Sequence, residues 1–557
     1  MRALAGLDPV KFEVIRSALH EATEEMALAL RRTAYSTNIK TRADFSCAFF
    51  DANLNVVAQA FTQPVHLGGL AELVPRVIRA YGPERLGPGD AIVTNDPYLG
   101  GAHLNDITLI SPVYAGGWAF GYVVNLAHHV DVGGGAPASV GAFREVYQEG
   151  VIIPPVKLVQ GGQIVAEVFQ LILAQIRSKR ETAGDLRAQT AANHVGVRRI
   201  GEVLQRWGPE VVSRYIEAIL EYTEERSRVG LQRLPKGTFQ AEGVVDNDGF
   251  TPDPVVLKAA VTISADGVVC DLSGSDPQRR APVNSTFSQT FSACAYVVKC
   301  LIDPDVVPNS GFYRLIRVVA PPGSIVNCLP PAPVVGGWET HVRLTEVLLK
   351  ALAPALPDRI PAGTKGMMCH AGFGGVDPHT GEYFCFLETL AGGYGGRASL
   401  DGPDAVQVHG QNTENAPVEE VEAGYPVRIA RYELVADSEG AGRWRGGLGL
   451  RRDYEFPSSE VRLTILADRD RWGPWGLFGG QPGARARYLL ISGGEEKELS
   501  SKVTLDVKPG EIISYRTCGG GGYGPPAKRD PRAVLRDVRE RRITRERARS
   551  VYGVVIE

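Results

Sequence analysis

No two of the eight cysteines stand in a C-x-x-C pair, so the sequence lacks the usual signature of a structural zinc site. Scattered as Cys47, Cys270, Cys294, Cys300, Cys328, Cys369, Cys385 and Cys518, they form no disulfide framework; free, mostly buried thiols in a reducing compartment are expected. Long apolar runs are missing too. The longest, such as residues 293–298, fall far short of the ~20 residues that span a bilayer. The opening MRALAGLDPVKFEV has no apolar h-region and no cleavage site. A cytoplasmic protein without membrane contact is therefore expected. Neither sign of charge is in excess: 60 Lys and Arg against 63 Asp and Glu leave a net −3, which gives no electrostatic footprint for nucleic acid. The phosphate-binding loop G-x-x-x-x-G-K-[ST] is absent. The glycine clusters GGYGG and GGGGYG lack its Lys and its strand-to-helix setting, and read as tight turns in a β-rich region.

What remains is an ordinary globular composition, 44% hydrophobic and 22% charged over 557 residues, enough for three or four units of about 100–200 residues each. Asp8 as N-cap and Pro9 in the first turn begin a helix whose apolar face is Phe12, Ile15, Leu19 and Met26. SCAFFD and VVAQA read as strands, a helix is expected over 67–81, and AIVTND, DITLISPVY and AFGYVVNLAHH read as further strands. Residues 163–234 turn helical. A hairpin with Asp266 and Gly267 at its turn follows, then a helix over about 289–301 and another that Thr340 caps. From Pro426 the pattern is strand and turn, a β-sandwich or open barrel, before a charged helical tail. The expected class is α+β in several domains: an α/β N-terminal region with a metal site (1–235), a mixed middle region (236–425), a mainly β C-terminal domain (426–525) and a helical tail (526–557).

The stretch NDPYLGGAHLNDITLI (95–110) sets His103 three residues before Asp106, just after a Gly-rich turn. NLAHHVDVGG then supplies His128, His129 and Asp131. The intervening strand returns the chain to the same end of its sheet, so two His and one carboxylate can form a facial triad with positions left open. Such ligands suit manganese, iron(II) or zinc.

The sequence resembles the B subunit of the hydantoinase, or 5-oxoprolinase, family, which is related to a subunit of acetone carboxylases. The resemblance runs nearly end to end, through STNIKTRADFSCAFFD, QPVHLGG, NDPYLGGAHLNDI, AHHVDVGG, VVGGWETHVRLTEVLLKAL, FLETLAGGYGG, GAGRWRGGLGLRRDYEF and GGGGYGPP. It implies a metal held by His103, Asp106 and His128, with His129 competing for the third place because neighbouring strand residues face opposite ways. It implies an ATP-dependent hydrolase of the carbon–nitrogen bond in a cyclic amide, a hydantoin or lactam. ATP with magnesium would sit on a separate A-type subunit, in a heteromer holding two copies of each chain. Asp44 and Asp131 are the carboxylates expected to serve as general base; His66 is expected either to line the site or, the slightly favoured reading, to cap the helix that follows. The alternative implied activity is that of the metal-containing subunit of an ATP-dependent ketone carboxylase. Two departures bear on the substrate: Trp338 stands where many relatives have Asn, and Gly410 and Gln411 where they tend to have Met and Thr.

Overall fold

The fold was analysed in a computed structural model, which describes residues 4–60 and 63–556. Helix α1 (Pro9–Thr33) begins as the sequence predicts, with the Asp8 side chain accepting from the Val10 N–H. A short helix α2 (Thr37–Lys40), capped by Ser36, leads into β1 (Phe45–Asp51) and β2 (Val56–Gln59). Next come α3 (Pro64–Tyr81), β3 (Ala91–Thr94), β4 (Asp106–Ala115), β5 (Trp118–His128), β6 (Val156–Gln160) and β7 (Gln163–Ile164). These strands make one antiparallel sheet in the order β2-β1-β5-β4-β3-β6-β7. Three helices follow: α4 (Ala166–Ala174), α5 (Lys179–Trp207) and α6 (Pro209–Gln232).

The central strands are buried on both faces, and period-two alternation sorts their residues. Phe45, Cys47 and Phe49 of β1 pack with Phe12, Met26 and Ile200 of α1 and α5. Ala48 and Phe50 point the other way, into a core shared with Leu70, Val74 and Val77 of α3. That second core continues into the middle of the chain, where β8 (Gly237–Val245), β9 (Val255–Ile263) and β10 (Val268–Asp271) join β11 (Ile316–Val319) in a four-stranded sheet. Its helices are α7 (Phe287–Ile302), the short α8 (Ser310–Tyr313) and α9 (Gly337–Leu352), and Phe291, Val297, Leu344 and Leu348 face the same core as Leu70. Residue 235 therefore marks no break in packing.

Three helix starts differ from the sequence reading. Helix α3 begins at Pro64 rather than 67. Helix α7 begins at Phe287, because Thr286 and Gln289 form a reciprocal capping box ahead of the first apolar residue. Helix α9 begins at Gly337, and Thr340 is no cap: its hydroxyl donates to the Val283 carbonyl from inside the helix.

Strands β12 (His370–Val376) and β13 (Tyr383–Thr389) precede a short helix α10 (Val418–Gly424) and β14 (Arg428–Val435). Then come β15 (Gly449–Glu455), β16 (Val461–Leu466), β17 (Arg487–Ser492), β18 (Glu495–Leu499), β19 (Lys502–Val507) and β20 (Ile512–Arg516). They build a sandwich of two antiparallel sheets, β13-β12-β16-β19 and β14-β15-β20-β17-β18. Half of the first sheet thus comes from before Pro426. The Gly-rich HAGFGGV of β12 has no alternation to announce a strand, yet it pairs with both β13 and β16. The tail is helical (α11, Pro531–Arg539; α12, Arg545–Ser550) and docked rather than solvated. Arg529 pairs with Asp401 and Asp537, while Val534, Ile543 and Tyr552 pack on Ala441. All eight cysteines are free and seven are buried. No helix among the described residues is long and apolar enough to cross a membrane.

Phe373 of β12 packs against Phe386 in a tilted contact and edge-to-face against Tyr454 and Phe456, with ring centroids 4.9–5.6 Å apart. Phe373→Ala is expected to cost about 3–5 kcal/mol, read as a lowered thermal midpoint. A midpoint like that of wild type would show that β12 is not integral to the sandwich.

Candidate functional site

Register places the site. Phe45 pairs with Ala127, the His128 N–H donates to the Asp44 carbonyl, and Asp106 pairs with His128. Asp44, His128 and Asp106 therefore form a row across one end of three neighbouring strands. His128 shares the face of Tyr122, Val124 and Leu126, which look toward α3. His129 points to the opposite face, where its Nε2 meets Gln189 of α5 at 2.9 Å. Alternation along β5 thus puts His128, and not His129, on the face that holds Asp106.

His103 arrives from the loop before β4. Gly100, at φ 110°, has the backbone of Leu73 so close that a Cβ would lie 3.0 Å from its Cα. The Gly101 carbonyl accepts from the hydroxyls of Thr286 and Ser288. With the loop so fixed, His103 Nε2 lies 3.5 Å from Asp106 Oδ2, and ligand atoms of His103, Asp106 and His128 all lie within 4.8 Å of one another. His66, in the first turn of α3, has its Nε2 3.9 Å from Asp44 Oδ1 and 4.0 Å from Asp106 Oδ1.

Hydrogen bonding tests whether a cation fits. The Asn105 amide donates to the carbonyls of His129 and Ala138, so its Oδ1 faces His103 Nδ1 at 3.3 Å. Nδ1 must then carry the proton, which leaves Nε2 as a bare lone pair aimed at a carboxylate. Neither that nitrogen nor either Asp106 oxygen has a hydrogen-bond partner, and all three are buried. Facing acceptors in a dry interior need a proton or a cation between them. Burial, then Asp44, pushes the Asp106 carboxyl well above its usual range. Burial and neighbouring imidazoles hold His103 well below its own; burial and Arg42 do so for His128. The cluster alone thus favours a neutral acid beside neutral imidazoles. A divalent cation turns the same groups into a carboxylate and lone-pair donors, the ligand forms such an ion takes. At His128 the amide of Asn38 lies 3.2 Å from Nδ1 while Arg42 occupies Asn38 Oδ1.

A small cavity opens beside the cluster, lined among others by Arg42, Asp44, His66, His128, Trp338 and His370. Trp338 wedges between rings, with centroids 5.7 Å from His103, 5.9 Å from His66 and 5.4 Å from His341. His370, at the start of β12, has Nδ1 3.7 Å from Glu339 Oε1. Asp131, the other carboxylate expected at the site, lies apart from this cavity. Its carboxylate is taken up by Arg177, side chain and backbone, and by the Gly133 N–H. It has no part in the cavity. Arg42, Asn105 and His370 escaped sequence reading. The first two sit inside recognised motifs, RADF and HLND, but nothing local distinguishes His370, which joins the site only through the pairing of β12.

A profile of the hydantoinase B/oxoprolinase family matches residues 8–526. An uncharacterized protein of Methanocaldococcus jannaschii is 40% identical over 99% of this chain and 96% of its own. The caprolactamase subunit beta of Pseudomonas jessenii is 32% identical over 99% and 97%. Among solved structures, an ATP-dependent caprolactamase from Pseudomonas jessenii superposes with a TM-score of 0.93 at 30% identity, over 99% of this chain and 97% of that one. An acetone carboxylase shares the fold, with a TM-score of 0.91 at 19% identity over 100% of this chain and 80% of the other.

Elemental analysis of the purified chain is expected to find about one manganese, iron or zinc per chain, and to find it lost in His103→Ala and Asp106→Ala. Asp131→Asn is expected to keep the metal. An ion-free wild type that no metal can load would assign the cluster to structure alone.

Proposed function

The chain belongs to the hydantoinase B/oxoprolinase family, and on that footing we propose that it is the ring-opening subunit of an ATP-dependent cyclic-amide hydrolase. The observation that carries the reading is the buried His103–Asp106–His128 cluster beside a cavity that Asp44 also lines. The substrate is a lactam or hydantoin, and the ATP-binding function, with its magnesium, belongs to an A-type partner subunit in a complex with two copies of each chain. Eight unpaired cysteines suit a reducing cytoplasm.

The need for ATP follows from the product. Opening a small lactam leaves an amine tethered beside the new carboxyl group, which recaptures the acyl carbon with an effective molarity of up to ~10⁵–10⁸ M. Phosphorylation of the amide oxygen activates the acyl carbon: water adds, the ring nitrogen departs as the amine to leave an acyl phosphate, and a second water releases phosphate, so that lactam, ATP and two waters give the amino acid, ADP and phosphate. His103, Asp106 and His128 would hold a manganese, iron or zinc ion, which would supply Lewis acidity toward an oxygen at the reacting centre. Asp44, in the same row and accessible to the cavity, takes the proton from the attacking water. Asp44 then returns that proton to the departing ring nitrogen, while His66, whose pKa burial lowers to about 4, stays neutral at pH 7 with its Nε2 3.9 Å from Asp44. Trp338 fills the volume above His103 and keeps bulk water off the activated species.

With the partner subunit and ATP present, ring opening and ADP release are expected for a lactam such as caprolactam or 5-oxoproline. Asp44→Asn is expected to lower kcat by about 10²–10⁴ while leaving KM near its wild-type value. Labelled bicarbonate entering a ketone without any ring opening would replace this reading with carboxylation.

A further inference from the structure

Arg42 is a buried cation without a counter-ion. Among the described residues no carboxylate lies within 4.0 Å of its guanidinium nitrogens, although its side chain is fully enclosed. The other five buried arginines are each paired: Arg343 with Asp468, Arg445 with Asp537, Arg452 with Glu388, Arg469 with Glu346 and Arg529 with Asp401. An unpaired buried charge is among the costliest features a fold can carry. Buried Lys365 also lacks a carboxylate, but it directs its donors at the carbonyls of Met368 and Leu390 and at Gln407 Oε1, away from the cavity.

Arg42 is different in two ways. Its acceptors are all neutral, namely Asn38 Oδ1 and the Leu387 carbonyl on Nη1 and Thr389 Oγ1 on Nη2. That leaves Nε, which has no partner, and the second Nη2 hydrogen unspent. Nε and Nη2 form one edge of the guanidinium, the edge that grips two oxygens of a carboxylate or phosphoryl group. Arg42 also lines the cavity with Asp44 and His128. Its guanidinium thus sets a fixed positive charge beside the cavity, complementary to an anion.

We infer that Arg42 is the oxyanion-recognising residue of this cavity. The inference rests on the proposed function for the identity of the anion: a carboxylate on the lactam itself, or the phosphoryl group that activation places on the amide oxygen. Arg42 grips its oxygens along the Nε–Nη2 edge and so orients the reacting carbon toward Asp44 and the cluster.

The test uses the complex with its partner subunit and ATP, comparing 5-oxoproline with 2-pyrrolidone, the same ring without the carboxylate. If the anion is the substrate's own, Arg42→Gln raises KM for 5-oxoproline by about 10–100-fold, far more than for 2-pyrrolidone. If it is the phosphoryl group, kcat falls by roughly 100-fold for both with KM held. Arg42→Lys, which keeps the charge but loses the fork, does not rescue either loss. A folded Arg42→Gln with wild-type KM and kcat on both lactams overturns the inference. Calorimetric titration of the wild-type chain with inorganic phosphate and with 5-oxoproline covers a variant that does not fold: binding of one supports the assignment, binding of neither overturns it. A wild type that opens no lactam yet binds one of these anions, with binding lost in Arg42→Gln, would remove the proposed function and leave the role of Arg42 standing.

Discussion

The site depends on the antiparallel register of three strands. Because β1, β5 and β4 are neighbours, Asp44, His128 and Asp106 fall into line at one end of the sheet. That sheet is covered on both faces, so the row is dry. Dryness has two effects on the same groups. It makes each unpartnered acceptor costly, and it strengthens whatever charge finally sits among them. Cost and catalytic potential thus share one cause, the burial that the two helical layers impose.

Much of this was legible from residue order. Alternation in β1 and β5 predicts strands, and the same alternation distinguishes His128 from His129 once one face is known. The HxxD spacing brought His103 and Asp106 together as expected. The limits are equally physical. Asp131 resembles a site carboxylate until the fold supplies Arg177, 46 residues later, to claim it. Strand β12 is hidden because Gly372, Gly374 and Gly375 leave no side chains to alternate; backbone pairing with β13 and β16 defines it instead. Arg42 is visible as a letter in a motif, but the absence of a counter-ion is a property of three dimensions.

Two other buried carboxylates are closely held. Glu346 accepts from the N–H and hydroxyl of Thr364, from Arg469 and from His409; His409, with the charges of Arg469 and Arg343, brings its pKa down to about 2 despite burial. Asp468 is held between Arg343 and Lys502. Against that background, Arg42 lines a cavity together with His128, whose neighbours His103 and Asp106 carry unpartnered buried atoms of their own.

The sharing of β12 between the middle of the chain and the C-terminal sandwich has a consequence for the order of assembly. The seven-stranded sheet uses only residues 45–164 and can form early in synthesis. Strand β12 has no inner neighbour until β16, some 90 residues further on, has left the ribosome. His370 sits on that strand and forms part of the cavity wall. The ligand row is therefore laid down first and its enclosure last, so an incomplete chain would hold the cluster open to water.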